Sequence, residues 1–231
     1  MLFDLRSKSR RNTVRVVYVI LALLMLSGLL LVGVGTGNNN GGILNALGTG
    51  GSNSGQDSLI AQQTKAAVEA TVKHPDSPSK WAALVQARWT AAGTGSNYNT
   101  TTDTYTKGGV AQLNDATAAW QKYLSLTNDK PDLGTSLLAA KAYQALKQWT
   151  AAGVAWQYVI QTQPAGSTSA IKGYECLALN SFAASRKGEG ELAAAAAKKL
   201  LPKADQAEWK TIFTDAKSSA STAAGYVADD C

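Results

Sequence analysis

Apolar and polar positions follow three regimes along this 231-residue chain. From Val16 to Gly35 the run VVYVILALLMLSGLLLVGVG is almost wholly apolar, and no charged residue occurs between Val16 and Gln56. Twenty residues at helical rise span roughly 30 Å, the hydrocarbon thickness of a bilayer. The run therefore predicts a single transmembrane helix over 16–35. The stretch that follows, TGNNNGGILNALGTGGSNSGQ, shows no periodicity and holds too little apolar surface to fix a backbone. It reads as a flexible linker, 36–56, with a reach of about 25 Å. Only the patch Ile43-Leu44-Asn45-Ala46-Leu47 interrupts it. Beyond Asp57 the apolar residues recur at intervals of three and four, the spacing of one-sided helices, and this continues to about residue 219.

Charge adds an orientation. The basic tail 1–15 carries Arg6, Lys8, Arg10, Arg11 and Arg15 against Asp4, so it holds +4 of the formal net charge of +6. Basic residues before the span and none close after it place the N-terminus in the cytoplasm and the remainder outside. A cleaved signal peptide is the competing reading, but its apolar region runs only about 7–15 residues. With the charge concentrated in the tail, the high isoelectric point gives no reason to expect nucleic-acid binding. The expected contacts are the lipid bilayer, through 16–35, and protein or peptide partners, with homo-oligomerisation a further option.

The helical region repeats a phrase. AWQKYLSL begins at Ala119 and AWQYVIQT at Ala155, 36 residues apart. A period of this length in an Ala-rich chain implies stacked helix pairs. Helices are expected over about 57–74, 79–92, 108–127, 190–201 and 203–219, with an inserted loop at 93–107 and a flexible tail at 220–231. Taking 133–166 as one unit sets Ala140, Tyr143, Trp149, Ala152, Trp156 and Pro164 at positions 8, 11, 17, 20, 24 and 32. This pattern resembles the tetratricopeptide repeat, with Trp81 and Trp120 as packing residues of the preceding unit. In the last unit Tyr174 falls at position 8, where the pattern expects a small side chain. The whole layout is similar to single-span actinobacterial membrane proteins carrying short arrays of this repeat. The fold class is thus all-α, a short helix-pair solenoid of this kind after one N-terminal transmembrane helix.

The resemblance implies a concave groove lined by the first helix of each pair. Its positions here include Gln86 and Trp89, then Leu137, Lys141 and Gln144, then Glu175. Few of these are charged, which suits apolar or neutral polar segments better than acidic tails. The insertion is long for a helix–helix connection, and its Tyr98 and Tyr105 are candidate contacts because polar loops with Tyr adapt to partners.

Little in the chain suggests catalysis. It has one His, His74, and two cysteines, Cys176 and Cys231, too few for a zinc site or a placed triad. Its Gly-rich runs lack the strand, helix and Lys-Ser/Thr context of a phosphate loop. The reading is a non-enzyme without cofactor or metal: a membrane-anchored extracytoplasmic module for protein–protein interaction, in secretion or envelope assembly. The alternatives are a self-associating spacer with no separate client and, more remotely, an envelope enzyme or glycan binder. For Cys176 and Cys231 an internal disulfide, an intermolecular one and free thiols all stay open.

Overall fold

The structure, a computed structural model, describes residues 53–231. The basic tail with Arg6, Lys8, Arg10, Arg11 and Arg15, the span 16–35 and the linker as far as Ser52 lie outside the described residues. No helix among the described residues is long and apolar enough to cross a membrane.

The described chain is all-α apart from a two-residue hairpin in the insertion. Its helices are α1 (Asn53–Lys73), α2 (Pro78–Ala92), α3 (Lys107–Thr127), α4 (Leu133–Ala145), α5 (Trp149–Gln161), α6 (Thr168–Ala183), α7 (Lys187–Leu200), α8 (Gln206–Ser218) and α9 (Ala220–Asp230). Helices α1 to α7 pack mainly on their neighbours in sequence, α9 packs on both α6 and α8, and short turns join the helices except where the insertion separates α2 from α3. Side chains start several helices. Ser77 precedes Pro78 at the first position of α2, where a missing N–H costs nothing. Thr106, Asp132, Ser167 and Ser219 accept from the backbone N–H three residues on and so cap α3, α4, α6 and α9.

Small residues set the close approaches. Ala140 and Ala152 have no exposed surface and share a core with Leu84, Val85, Trp120, Tyr143 and Trp156. Trp81 packs at the edge of this core, and its Nε1 donates to the Pro75 carbonyl at 2.7 Å. Pro164 is exposed in the α5–α6 turn, its carbonyl accepting from Ser167 N. Trp149 packs instead with a second core of Leu179, Phe182, Ala193, Ala197, Phe213, Ala223 and Val227.

The structure corrects three expectations. Helix α1 begins at Asn53, so the linker gives up its last four residues. Residues 220–231 are no loose tail, since all but the last belong to α9, with Ala223 and Val227 in the second core. The third correction concerns register. The α4–α5 turn and the α6–α7 turn are the same structure, with left-handed residues at Lys147 (φ 56°) and Ser185 (φ 61°), 38 positions apart. Gln148 N donates to the Tyr143 carbonyl and Arg186 N to that of Ser181, each at 2.8 Å. In that register Ala178, not Tyr174, is the counterpart of Ala140, and Gly190 is the counterpart of Ala152. Helix α6 has three more residues than α4, which shifts the frame.

Candidate functional site

Helices α2 and α4 pack directly on each other and carry five of the six predicted groove residues. Trp89 is half-buried, joining Tyr105, Ala145 and Leu146 around a small core of Ala92, Leu113 and Ala142. Gln86 is half-buried and Lys141 exposed. Leu137 is half-buried against the main core. Gln144 is half-buried, and its Nε2 is shielded from solvent without a hydrogen-bond partner. A donor in that state costs about 1–3 kcal/mol.

Glu175 does not join this face as an accessible residue. It is only 4% exposed. Its carboxylate lies 3.4 Å from Lys172 Nζ, which also sits 5.3 Å from the centre of the Trp209 ring on α8. Burial pushes its proton affinity up, the Lys172 charge opposes this, and Asp230 and Asp205 add to the rise. The physical reason for the correction is that α8 and α9 cover this part of α6. In the register of the matching turns, Glu175, Leu179 and Phe182 stand where α4 has Leu137, Lys141 and Gln144. One face is polar and partly open, and its counterpart is closed over.

The insertion is an ordered element. A 3-10 turn at Gly95–Asn97 leads into strands β1 (Tyr98–Asn99) and β2 (Thr104–Tyr105), paired Tyr98 to Tyr105 and Asn99 to Thr104. Asn99 Oδ1 accepts from the N–H groups of Thr101 and Thr102, which closes the turn. The two tyrosine rings meet edge to face at 5.0 Å. Tyr98 donates to the exposed Asp103 carboxylate, and that bond first, then burial, pushes its hydroxyl up to about 12. Tyr105 is an anchor, because it packs beside Trp89. Tyr98 stacks on it from outside the core. Asn97 Nδ2 donates to the Ala91 carbonyl at 2.9 Å and ties the loop to the end of α2.

A cleft of about 500 Å³ opens between α1, α2, the 3-10 turn and α3, with Ile60 and Val68 among its apolar residues and Asp57, Lys65 and Arg88 among its charged ones. None of the predicted groove residues lines it. Arg88 donates to Gln112 Oε1 at 2.8 Å and pairs with Asp115 at 3.2 Å, so its charge is already engaged. No periodic signal in the sequence marks this cleft, since it is lined by residues of α1, α2, the 3-10 turn and α3 that only folding brings together.

Sequence reasoning also missed the contact that fixes one helix pair to the next. Tyr123, near the end of α3, donates to Asp132 Oδ2 at 2.6 Å and accepts from Asp132 N at 2.9 Å. The same carboxylate receives Thr135 N at 2.8 Å and Thr135 Oγ1 at 2.7 Å. Burial alone would raise the Asp132 proton affinity, but the bonds from Tyr123 and Thr135 outweigh it and hold the carboxyl below its usual value. The signal was present as a capping pattern, Asp132 three residues before Thr135. Its aromatic partner comes from the previous helix and has no fixed spacing.

Comparison of the chain with protein-family models, with curated proteins and with solved structures returns no match.

Proposed function

We propose that this protein is a membrane-anchored module of the tetratricopeptide kind. Its array of helix pairs holds a peptide or helical segment of a partner protein at the outer face of the membrane. The observation that carries the reading is the α2–α4 face: two adjoining helices carry Gln86, Trp89 and Gln144, all half-buried, and the exposed Lys141. Such a face offers apolar contact beside Trp89 and a neutral polar side chain in Gln86, with Lys141 as the one charge among these residues. It favours segments of low net charge, because an acidic tail would find only one cation and a basic one none of the anions it needs.

A second observation supports the location. Cys176 and Cys231, 55 positions apart in sequence, form a disulfide with Cα atoms 5.7 Å apart. Such bonds persist in oxidising compartments and are rare in the reducing cytosol. This agrees with the orientation drawn from Arg6, Lys8, Arg10, Arg11 and Arg15, which is independent evidence.

Photo-crosslinking in living cells tests the binding reading. Probes replace Lys141, Gln144 and Tyr98 one at a time, with Lys210 on the exposed side of α8 as control. A recurring adduct from the α2–α4 face and not from Lys210 is expected. Adducts only to the same chain would replace this reading with a self-associating spacer. The location is tested by acid-quenching whole cells and adding a thiol-reactive polymer with and without prior reduction. Two additions should appear only after reduction; two without it would place the domain in the cytoplasm.

A further inference from the structure

Helix α6 differs from its counterparts in being closed on nearly every side. Ten of its 16 residues are buried, against four of 15 in α2, and a helix buried all round must have partners all round. The extra partner is α9. It packs on α6 and α8, and its Ala223 and Val227 join Ala178, Leu179 and Phe182 in one core. Its buried positions are Ala223 and Val227, four residues apart, and Ala224, Tyr226 and the following Cys231 pack partly buried against the same core, so they form one apolar face. Outside that face Ser221, Thr222, Gly225, Ala228 and Asp229 are exposed. The matching face of α4, with Leu137, Lys141 and Gln144, has no such cover.

The connection from α8 to α9 is one extended residue, Ser219. The far end of α9 is held by the disulfide to Cys176. Cys176 has no exposed surface, whereas Cys231 is only partly buried. Of the two residues, the one at the tip of the covering helix is therefore the more accessible.

We propose that α9 is a ligand in cis for an apolar socket on α6, and that the Cys176–Cys231 disulfide is its latch. The chemistry that opens the latch is thiol–disulfide exchange with a dithiol. A thiolate of the dithiol bonds to Cys231 Sγ, the Sγ–Sγ bond breaks, and its electron pair leaves with Cys176 Sγ, which takes up a proton. The second thiol of the reductant then displaces Cys231 as a thiol and closes the reductant's own disulfide. Two electrons and two protons pass to the chain. The uncovered socket, lined by Ala178, Leu179 and Phe182, accepts a helix with the apolar face of α9. This inference is independent of any partner on the α2–α4 face.

The test uses the full chain in detergent, oxidised, reduced with dithiothreitol, and as Cys231→Ser without reductant. Amide exchange is followed by mass spectrometry, and binding of a fluorescent peptide of residues 219–230 by anisotropy. On reduction, exchange across 220–231 should accelerate by about tenfold or more while 133–161 stays protected. Cys231→Ser should reproduce this, and the peptide should bind the reduced chain and the variant but not the oxidised chain. Unchanged exchange in 220–231 would mean that packing alone holds α9. Equal acceleration through α4 and α5 would make the disulfide a general staple. Peptide binding to the oxidised chain, or to none of the three, would remove the socket. Each of these results overturns the proposal.

Discussion

Replacing Tyr123 by Phe tests the contact between successive helix pairs most directly. The substitution keeps the ring, which is 5% exposed and lies in the main core, and deletes only the hydroxyl. Two hydrogen bonds are lost, one to the Asp132 carboxylate at 2.6 Å and one from Asp132 N at 2.9 Å. A bond to a charged group contributes about 1.5–3 kcal/mol and an ordinary one about 1 kcal/mol. Asp132 is exposed, so the lower end applies and the expected loss is about 2 kcal/mol. For a folded part of this size that lowers the melting temperature by roughly 4–8 °C. The pH dependence sharpens the test. Asp132 is held below its ordinary 3.8 in the folded state, so its contribution is complete above that value and is lost as pH falls through the folded one. Burial, followed by the Asp132 bond, pushes the Tyr123 hydroxyl up to about 12 from 10.0, so its contribution is complete below 10.0 and lost as pH rises towards 12. The assay is chemical denaturation of wild type and Tyr123→Phe across that range. The difference should be flat from about pH 5 to 9 and shrink below about pH 4. A variant within about 0.5 kcal/mol of wild type at neutral pH, or a gap unchanged in acid, would refute the reasoning.

Three other substitutions follow from close approaches and orphaned groups. At Gly109→Ala the new Cβ would fall 2.2 Å from the Asn97 carbonyl oxygen, which is backbone. The hairpin should separate from α3 at a cost of about 1–3 kcal/mol, read by faster amide exchange at 95–106, whereas Gly188→Ala, with nothing within 4 Å, should be neutral or stabilising. Gly190→Ala would meet the Phe182 ring at 2.4 Å and should cost about 1–3 kcal/mol in denaturation, with Phe182→Leu in the same chain recovering part. Gln144→Leu removes a buried donor that has no partner. It should leave stability unchanged or raise it by up to about 1 kcal/mol, while weakening crosslinking from a probe at Lys141.

Much of the helical framework was legible because it rests on local rules. The repeated AWQ phrase and the spacing of Ala140, Ala152 and Trp156 show the helical period, so the expected segments agree with the observed helices to within a few residues. The register of the last pair was not legible. Its turn puts Ser185 in the left-handed region, and the matching turn puts Lys147 there. Neither is the Gly or Asn that marks such a residue in a sequence, so counting from the preceding turn misplaced Tyr174. Helix α9 escaped notice because Ala223, Val227 and Cys231 are small or few and stand among Ser, Thr and Asp. Their spacing of four was the available signal. The fate of the cysteines depended on that helix, since only α9 brings residue 231 to residue 176. On the candidate face, the positions on α2 and α4 could be read from the repeat. Glu175 could not, because its burial depends on elements outside the repeat frame.

Glu175 also provides a measure of what closing α9 over α6 costs. A carboxylate only 4% exposed has one cation nearby, Lys172, while Asp205 and Asp230 add negative charge from α8 and α9. Burial is the largest influence, and the net effect is a folded-state proton affinity above the ordinary 4.5. A raised carboxyl contributes stability fully below its unfolded value and loses it as pH rises through the folded one. The closed arrangement should therefore be tighter at pH 4 than at pH 7. Glu175→Gln keeps the shape and removes the charge. It should slow amide exchange across 220–231 at pH 7, once intrinsic rates are allowed for, and change little at pH 4, where the native side chain is already largely neutral. Faster exchange in Glu175→Gln at pH 7 would mean that the Lys172 pair outweighs the burial penalty, contrary to this reasoning. Ala178, Leu179 and Phe182 would hold α9 in either case, so the substitution isolates the electrostatic part of the closure.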